Sequence, residues 1–561
     1  MRKFLFLLAF ISTATLFAQF TDYNTVKEVK VSNKGVVASA FPLASEAGAQ
    51  MLREGGNAFD AMIATQFALA VTHPQAGNIG GGGFTIATTT TGKKIALDYR
   101  EKAPSKAHRD MYLDENGDAN LDLSQAGGLA SGVPGSVAGM FKMHEYAKLP
   151  MEKLIQPAID LAEQGYALSA ADANSLNNRK ETFLKYNKNP IAFVKEEPWK
   201  EGDILVQKEL AATLKRIQKE GQKGFYEGET AKLIVKQMKE SHGIISKKDL
   251  KNYQVREREP LVIDYQGHQV VTMPLPSGGL VLAQLLKMVD LKGLKGMQLN
   301  SPEAVQLMVE VERRVFADRA EYMGDPDFIE DQTEKLLSPA YLKDRMANYD
   351  PSKATPSSEV GKVENLGKES MQTTHISVLD KDGNAVSTTT TINGGYGSKV
   401  VVSGAGFFLN NEMDDFSAKP GVPNMFGALG GKANAIEPNK RMLSAMSPTI
   451  VLKDNTPKIV VGTPGGTTIP TQVFQSIVDV IDFGANANIA VNAPKFHHQW
   501  LPEEVRVERD FPETTIKALE KKGYTFKKTY KIGRVEMIVV DENGNYHAVA
   551  DGRGDDSVAV E

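Results

Sequence analysis

The feature of this sequence that most constrains its fold is a change of composition near residue 372. Residues 348–370 consist mainly of Pro, Ser, Lys, Glu and Gly with little apolar content, which predicts an exposed linker. Residues 140–330, before the linker, are typical of helices with polar faces. From Thr373 onward, β-branched runs interrupted by Asp382-Gly383 and Asn543-Gly544 predict strands and hairpins. The chain therefore divides near residue 372 by composition alone.

Three segments before the linker carry clear helical signals. Ala44–Glu54 has a helix-forming composition and stops at Gly55-Gly56. Asp60 is predicted as the N-cap of an Ala-rich helix that runs to about Val71 and is apolar on all sides. Glu303–Tyr322 is predicted as a further helix with a polar face. Because a helix that is apolar all round belongs in a core, the second one favours a large layered fold.

Composition and charge exclude several functional classes. The 561 residues are 41% apolar, 7% aromatic and 24% charged, as in ordinary globular proteins. The formal charge of −4 and the pI near 6.2, with no long run of Lys or Arg, give no support for nucleic-acid binding. The chain has no cysteine, which excludes disulfides, thiolate metal sites, a lipid-anchored cysteine and a cysteine nucleophile. Any nucleophile must therefore be Ser, Thr or another residue.

The N-terminus has the pattern of a cleaved secretory signal. Arg2 and Lys3 precede the apolar run Phe4–Ile11, and small and apolar residues continue to Ala18. The run is shorter than the ~20 residues that a membrane-spanning helix needs. We therefore predict removal of residues 1–18, no membrane anchor, and a periplasmic or secreted product. Loss of Arg2 and Lys3 changes the formal charge to −4 − 2 = −6.

The segment that starts at Thr373 predicts a β-hairpin, because Asp382-Gly383 is a strong turn signal between two β-branched runs. If these two residues form the turn, Thr373 lies opposite Ile392, with Thr391 adjacent on the partner strand. Cross-strand neighbours lie about 4.5–8 Å apart, so the two threonines should be close. Threonine is also simply a good strand former, so the pattern alone leaves a purely structural role open.

A resemblance to a known family decides between these roles. Gln372–Val378, placed after a polar linker, resembles the processing site of the γ-glutamyltransferases. Further matching segments occur in order along nearly the whole chain: Glu54–Ala58, Thr72–Asn78, Gly80–Phe84, Asp98–Glu101, Ala130–Gly135, Phe225–Gly228, Asn411–Pro423, Ala445–Ile450, Gly462–Gly466 and Ala493–Pro502. By these ordered, family-specific matches the chain is identified as a member of that family.

The resemblance implies an N-terminal-nucleophile hydrolase with a four-layer α-β-β-α sandwich. In this family a precursor cuts itself before a threonine, here between Gln372 and Thr373. The products would be a large chain of residues 19–372 and a small chain of residues 373–561 that share one core. Thr373 is then expected to be the nucleophile, with its own freed α-amine as general base. An α-amine has an unperturbed pKa of about 7.7–8.0, close to working pH, where a general base is most effective.

The resemblance also implies how the nucleophile is assisted. Thr391 is expected to orient Thr373 by hydrogen bonding. Gly465 and Gly466 resemble the glycines of an oxyanion hole, whose backbone N–H groups meet the developing negative charge.

The same resemblance implies which residues bind the charged groups of the donor, the substrate that supplies the γ-glutamyl group. Arg100 is expected to hold the α-carboxylate, since a planar guanidinium suits a carboxylate, and Ser444 to assist it. Asn393, Glu412 and Asp415 are expected to hold the α-ammonium, where two carboxylates beside one cation are chemically sensible. The expected donor is glutathione or another γ-glutamyl compound, and the acyl group would pass to water or to an amino acid or peptide.

The other motifs are interpreted as structural rather than functional. Gly77–Gly83 predicts a tight loop, and no Gly-x-x-x-x-Gly-Lys-Ser/Thr motif occurs, so Gly80–Gly83 is interpreted as a structural turn rather than a phosphate loop. His497-His498 and Asp414-Asp415 lack metal-ligand spacing. The sequence therefore predicts neither a metal nor a cofactor.

Two departures from the family pattern concern the donor site. Where the family commonly has a Ser-Ser pair, this sequence has Ser444-Ala445. In the lid that follows Asp415 the family often has a Tyr, whereas this sequence has Phe426. Both leave the catalytic residues intact but bear on affinity and acceptor preference.

Two alternatives stay open on the sequence alone. A β-lactam side-chain acylase of the same superfamily would act on glutaryl-cephalosporins rather than γ-glutamyl anilides. An unprocessed secreted binding protein would remain a single intact chain.

Overall fold

The computed structural model describes residues 23–361, 373–419 and 421–561. The strands are β1 Glu28–Val31, β2 Val36–Ser39, β3 Gly82–Thr88, β4 Lys94–Asp98, β5 Tyr166–Ala167, β6 Ile204–Leu205, β7 Arg256–Arg258, β8 Leu261–Tyr265, β9 His268–Thr272, β10 Thr374–Leu379, β11 Ala385–Thr391, β12 Thr449–Lys453, β13 Thr456–Gly462, β14 Phe496–His497, β15 Val505–Glu508, β16 Phe526–Thr529, β17 Glu536–Val540, β18 Tyr546–Ala550 and β19 Ser557–Val560.

The α-helices alternate with these strands before the linker and are fewer after it. They are α1 Pro42–Arg53, α2 Ala58–Thr72, α3 Asp122–Gln125, α4 Ser136–Met143, α5 Met151–Gln164, α6 Ala170–Tyr186, α7 Lys208–Glu220, α8 Lys223–Tyr226, α9 Gly228–Glu240, α10 Lys247–Lys251, α11 Gly279–Lys292, α12 Pro302–Tyr322, α13 Thr333–Leu337, α14 Pro339–Arg345, α15 Ile469–Ile481, α16 Ala487–Asn492 and α17 Glu513–Glu520.

Two antiparallel, seven-stranded sheets form the centre of the molecule. Sheet I has the strand order β1-β18-β17-β13-β12-β9-β8, and sheet II has the order β19-β2-β10-β11-β3-β4-β7. Each sheet contains strands that precede residue 372 and strands that follow it. The two parts of the chain predicted from composition are therefore interleaved in one fold rather than separate domains.

The sheets pack face to face and helices cover their outer faces. β10 and β11 of sheet II lie against β13 of sheet I, α1 and α2 cover sheet II, and α11 and α15 cover sheet I. Side chains alternate between the layers: Val36 and Ala38 join the core shared with sheet I, whereas Val37 joins the core under α1 and α2. The predicted four-layer α-β-β-α sandwich is confirmed.

The predicted helix near residue 60 is present, but its N-cap was predicted wrongly. Asn57 is the N-cap: its Oδ1 accepts the N–H groups of Phe59 at 2.9 Å and Asp60 at 3.2 Å. Asp60 instead closes a capping box by accepting the N–H of Asn57 at 2.7 Å. Every residue of α2 is buried, as its all-apolar sequence predicts.

Helix α12 contradicts the prediction of a polar face. All residues from 304 to 320 are buried, including several charged ones. Buried charges are costly unless they are paired, and several of these charges have partners in the helix or its neighbours. Arg314 donates to Glu310 one turn earlier at 2.6 Å, and Gln284 of α11 donates to Asp318 at 2.6 Å. Acidic and basic residues at helical spacing therefore pair inside the core instead of facing solvent.

The hairpin formed by β10 and β11 has a three-residue loop, where the sequence predicted a two-residue turn. Asp380 and Asn384 pair at the base of the loop, with Asp380 N donating to Asn384 O at 3.0 Å. The Asp380 side chain also accepts the N–H groups of Asp382 at 3.0 Å and Asn384 at 2.9 Å. Gly383 has a φ of +99°, the conformation that closes a loop of this length. The cap by Asp380 explains the longer loop.

The longer loop shifts the hairpin register by one position. Thr374 pairs with Thr390, and the next pair in this register is Thr373 with Thr391. The prediction that Thr373 lies opposite Ile392 was therefore wrong. The predicted proximity of the two threonines holds more strongly than expected, because they face each other directly.

The glycine-rich segment of residues 77–83 is partly a turn and partly a strand. Gly80 and Gly81 lie in the turn, whereas Gly82 and Gly83 begin β3 and pair with Thr391 and Thr390. The segment thus supports the strand that carries Thr391.

Several predictions fall partly or wholly outside the described residues. The predicted linker is described up to Gly361, with a short 3-10 turn at Ser357–Glu359, and the predicted signal of residues 1–18 and Gln372 lie outside. Within the described ranges, no helix is both long enough and apolar enough to cross a membrane.

Candidate active site

Thr373 and Thr391 lie at the open end of the hairpin and face the space between the sheets. The hydroxyl groups of Ser377 on β10 and Ser387 on β11 each donate to a carbonyl of sheet I at 3.0 Å. Since side chains alternate along a strand, Thr373 and Thr391 lie on the same face. Both are buried, with 7% and 3% of their surface exposed.

Thr373 and Thr391 line one small cavity, which we call the Thr373 cavity. The other residues that line it include most of the predicted site residues: Arg100, Asn393, Glu412, Asp415, Ser444, Ala445 and Gly466. Arg319, Asn424, Phe426, Ala428, Met446, Thr467 and Ile469 complete its wall. Residues predicted from six separate stretches of sequence are therefore brought together at one point.

Gly465 and Gly466 reach the site from sheet I, in the segment between β13 and α15. Gly466 lines the Thr373 cavity, and Gly465 lines a second cavity that Thr373 also borders. Their φ angles of +144° and +58° are unfavourable for any residue with a β-carbon. Neither backbone N–H has a hydrogen-bond acceptor among the described residues. Two unengaged amides beside Thr373 can serve as an oxyanion hole.

Arg100 follows β4 and is the centre of a buried charge cluster. Its Nη1 donates to Glu412, its Nη2 donates to Asp415 Oδ2 at 2.5 Å, and its Nε donates to the carbonyl of Met442 at 3.2 Å. Glu101 Oε2 lies 3.6 Å from Nη1. Arg100 is only 1% exposed, so this cluster is largely removed from solvent.

Burial is the main influence on the pKa values of the carboxyl groups in this cluster. It raises the pKa of Glu101 to about 8, against the lowering effect of Arg100. Burial also raises the pKa of Glu412 well above its ordinary value, and Glu101 adds to this shift. The pKa of Asp415 is raised by burial and lowered by Arg100. Three carboxyl groups therefore share one guanidinium, and a cation that enters the cavity would favour their ionised forms.

Asn393 connects Thr391 to the segment that carries Glu412. It follows β11 with a φ of +70°, which asparagine tolerates better than most residues. Its backbone N–H donates to Thr391 Oγ1 at 2.7 Å, and its Nδ2 donates to the carbonyl of Asn411 at 3.0 Å. Its side-chain oxygen therefore stays available to the cavity.

Ser444 and Ala445 lie together on the cavity wall. The Ser444 hydroxyl accepts the backbone N–H two residues later at 3.1 Å. Among the described residues Ser444 makes no hydrogen bond to Arg100, although both line the same cavity. Ala445 is partly exposed there, so its methyl group occupies the place where a hydroxyl could point inward.

Two histidines after residue 372, His375 and His497, are held by buried hydrogen bonds. His375 is fully buried, and its ring nitrogens bond with Thr389 at 2.8 Å and Ser377 at 3.0 Å. Burial lowers its pKa to about 3, so the ring is neutral and only a weak base near neutral pH. His497 is held similarly, by Thr471 and Gln499. No cluster of three or more possible metal ligands occurs in the described part of the chain.

Comparison with known proteins agrees with this geometry. The sequence profile of the gamma-glutamyltranspeptidase family matches residues 44–561. The chain belongs to the γ-glutamyltranspeptidase family. The glutathione hydrolase proenzyme of Escherichia coli (strain K12) is 46% identical over 533 residues, which cover 94% of this chain and 92% of that protein. The family predicted from the resemblance is confirmed.

Solved structures place this transpeptidase-family chain in a wider set of hydrolases. The γ-glutamyltranspeptidase of Helicobacter pylori has a TM-score of 0.56 at 46% identity, covering 57% of this chain and 93% of that one. The cephalosporin acylase of Bacillus halodurans has a TM-score of 0.85 at 27% identity, covering 96% and 97%. Since enzymes with different donors share the fold, donor selectivity must be argued from the cavity residues.

Two charged residues in or beside the transpeptidase cavity were missed by sequence reasoning. Glu101 follows Arg100 and faces the same guanidinium, a role that adjacency in sequence could have suggested. Arg319 belongs to α12 and lines the Thr373 cavity with 7% of its surface exposed. Nothing distinguished it within a helix that was predicted to be polar.

The two departures from the transpeptidase pattern both lie in the cavity. Ala445 is part of the wall beside Ser444. The Phe426 ring lies over Gly466: a β-carbon added to this glycine would be 2.6 Å from Phe426 Cδ1. Phe426 thus covers the oxyanion-hole candidate, although it has no hydroxyl to bond across the cavity.

Proposed function

We propose that this chain is an autoprocessing γ-glutamyltransferase and glutathione hydrolase in which Thr373 attacks the γ-glutamyl amide. The observation that carries the proposal is the position of Thr373. It stands opposite Thr391, borders the unengaged amides of Gly465 and Gly466, and shares a cavity with the Arg100 cluster. A nucleophile, an oxyanion hole and a zwitterion site are thus adjacent.

Maturation is proposed to cut the chain between Gln372 and Thr373. The products, residues 19–372 and 373–561, would stay together without any disulfide, because strands from both parts alternate in each sheet. β10 and β11 of the small chain, for example, lie between β2 and β3 of the large chain. Separating the chains would break both sheets, so a non-covalent heterodimer is expected.

The reaction then needs no group beyond those of the cut protein. The Thr373 hydroxyl attacks the γ-carbonyl carbon while its own α-amine takes the hydroxyl proton. The amides of Gly465 and Gly466 stabilise the oxyanion. As the C–N bond breaks, the leaving amine takes the proton from the Thr373 ammonium, and a γ-glutamyl ester remains on Thr373. Water or the amine of an amino acid or peptide attacks this ester and restores the enzyme.

Recognition of a free γ-glutamyl group is proposed to depend on exchange of ion pairs. Arg100 now bonds to Glu412 and Asp415. A donor zwitterion can insert between them, with its α-carboxylate on Arg100 and its α-ammonium on Asp415, Glu412 and Asn393. Each buried charge then keeps an opposite partner. A glutaryl group has no ammonium and would leave the acidic residues without a cation, which argues against an acylase.

Export is the remaining part of the proposal. The basic start and short apolar run of residues 1–18 support a cleaved signal and a periplasmic or secreted enzyme. The mature large chain should then begin at Gln19.

A gel and a pair of anilides test the proposal together. The purified protein should give two bands on a denaturing gel and hydrolyse a γ-glutamyl anilide much faster than the matching glutaryl anilide. Asp415→Asn should reduce this preference, because it removes a charge that only the γ-glutamyl ammonium needs. An intact single chain would overturn the enzyme proposal. Two bands with a preference for the glutaryl anilide would overturn the donor assignment alone.

A further inference from the structure

Arg319 is a buried cation without a partner among the described residues, which is an unusual state for a guanidinium. It is 7% exposed and lines the Thr373 cavity. Among the described residues, no carboxylate lies within 4.0 Å of it and no side-chain hydrogen bond involves it, and its Nε is enclosed without an acceptor. Its neighbours in α12, Arg313 and Arg314, are paired with Glu503 and Glu310 at 2.6 Å. An unpaired buried charge is costly, so a functional reason for Arg319 is required.

The acidic group on which Arg319 acts is Asp415. Asp415 raises the pKa of Arg319, which burial has lowered to about 10, and Arg319 in turn lowers the pKa of Asp415. The loop that carries Asp415 also docks at the end of α12. Gly431 N donates to the carbonyl of Ala320 at 2.9 Å, and Asn434 Nδ2 donates to the carbonyl of Asp415 at 2.7 Å. The helix therefore fixes both Arg319 and the loop against which it acts.

Donor binding changes the charge balance around Asp415. Before binding, Arg100 holds Asp415 through Nη2. When the donor's α-carboxylate binds Arg100, the ion pair between Arg100 and Asp415 must break. Asp415 must then bind the α-ammonium instead. Asp415 lies among Glu412, Glu101 and Asp414, whose pKa values are raised by burial and further by the negative charge of Asp415. Without a second fixed cation, Asp415 would tend to protonate at the moment when its charge is needed.

We propose that Arg319 is a positioning residue of the donor site, a fixed counter-charge that keeps Asp415 ionised and in place while the donor's carboxylate takes Arg100. This inference rests on the donor site proposed above. Arg319 acts through Asp415 and does not touch the reacting carbonyl. It should therefore change donor binding and leave the chemical step nearly intact.

Removing the charge gives the first test. Arg319→Met should raise the KM of a γ-glutamyl anilide about tenfold and change kcat by less than about twofold, the pattern of lost binding. Arg319→Lys should restore most of the loss. Arg506→Met is a control, because Arg506 is a half-buried arginine whose pKa burial also lowers to about 10, but it does not line the cavity. The control should leave KM unchanged.

The dependence on pH separates this role from a merely structural one. The charged groups that face Asp415 are Arg100 and Glu101 after β4, Glu412 and Asp414 in its own turn, and Arg319 on α12. Loss of Arg319 should raise the pKa at which the carboxyl cluster protonates. As the pH falls, the KM of the variant should therefore begin to rise at a higher pH than the KM of the parent enzyme. Melting temperature should not fall, because the variant removes an unpaired buried charge.

A double-mutant comparison decides the mechanism. If Arg319 acts through Asp415, Arg319→Met should have little further effect on KM in an Asp415→Asn background. An undiminished effect there would show that Arg319 binds the donor directly and would overturn the inference. So would an unchanged KM in Arg319→Met, or failure of both Arg319→Met and Arg319→Gln to mature, which would indicate a folding role. Arg100→Lys is measured in parallel: if it leaves KM unchanged, the donor site itself is wrong and the inference fails with it.

Discussion

Asn393 donates its backbone N–H to the hydroxyl oxygen of Thr391 at 2.7 Å. Thr391 stands opposite the proposed nucleophile, and Asn393 is proposed to hold the donor ammonium. One hydroxyl group therefore links the positioning of the nucleophile to the positioning of the donor. A change at Thr391 should affect both functions.

Thr391→Ala should slow autoprocessing and lower kcat by about tenfold or more, because small errors in orientation are costly in catalysis. It should also raise the donor KM, since Asn393 loses its hydrogen-bond acceptor. Thr390→Ala is the matched control. Thr390 lies on the opposite face of β11, where its hydroxyl donates to the carbonyl of Gly82 at 2.9 Å. The control should cost stability but leave both rates unchanged, and equal losses in the two variants would contradict the assignment.

Arg100→Lys should raise the donor KM about tenfold or more. The lysine keeps the positive charge but lacks the planar fork that can hold a carboxylate with two parallel bonds. Each charge-assisted hydrogen bond contributes roughly 1.5–3 kcal/mol, so losing one is enough for this effect. Arg314→Lys provides a control, because Arg314 is another buried arginine paired with a carboxylate but lies outside the cavity. An unchanged KM for Arg100→Lys would show that Arg100 does not bind the carboxylate.

Gly466→Ala should abolish most of the activity. A β-carbon there would meet the Phe426 ring at 2.6 Å, and the φ of +58° disfavours alanine as well. Gly484→Ala separates the two causes, since Gly484 has a φ of +65° but open space around it. Steady-state rates of the two variants should differ by about a hundredfold, as expected for a damaged oxyanion hole. Similar activities would mean that Gly466 has only a conformational role.

Ala445→Ser should lower the donor KM several-fold. A hydroxyl at this partly exposed position would give the donor's carboxylate one more hydrogen bond, whose net contribution approaches about 1.4 kcal/mol if no water replaces it. That corresponds to a tenfold gain at most. The kcat should stay nearly constant because the carboxylate is remote from the reacting carbonyl. A raised KM would instead indicate that Ala445 leaves room for a group that the hydroxyl displaces.

The sequence predicts the parts of this fold that depend on local patterns. An all-apolar run predicted the buried helix α2, and a turn signal between β-branched runs predicted the β10–β11 hairpin. The register of the hairpin was missed because Asp380 caps a longer loop with its side chain. The burial of α12 was missed because its charges are paired only after neighbouring elements assemble.

The site depends on assembly to an even greater degree. Arg100, Asp415, Ser444 and Gly466 come from separate segments of the chain, and no local pattern relates them. Only the resemblance to a family named them from sequence. Arg319 was missed because what distinguishes it is the lack of a partner among the described residues of the fold, a property that has no counterpart in the sequence.

N-terminal sequencing of the purified protein tests the central claim most directly. If Thr373 is freed as the nucleophile, a small chain should be present whose sequence begins Thr-Thr-His-Ile, and Thr373→Ala should yield neither this chain nor turnover. A small chain that begins at any other residue, or an uncut chain with full activity, would contradict the account.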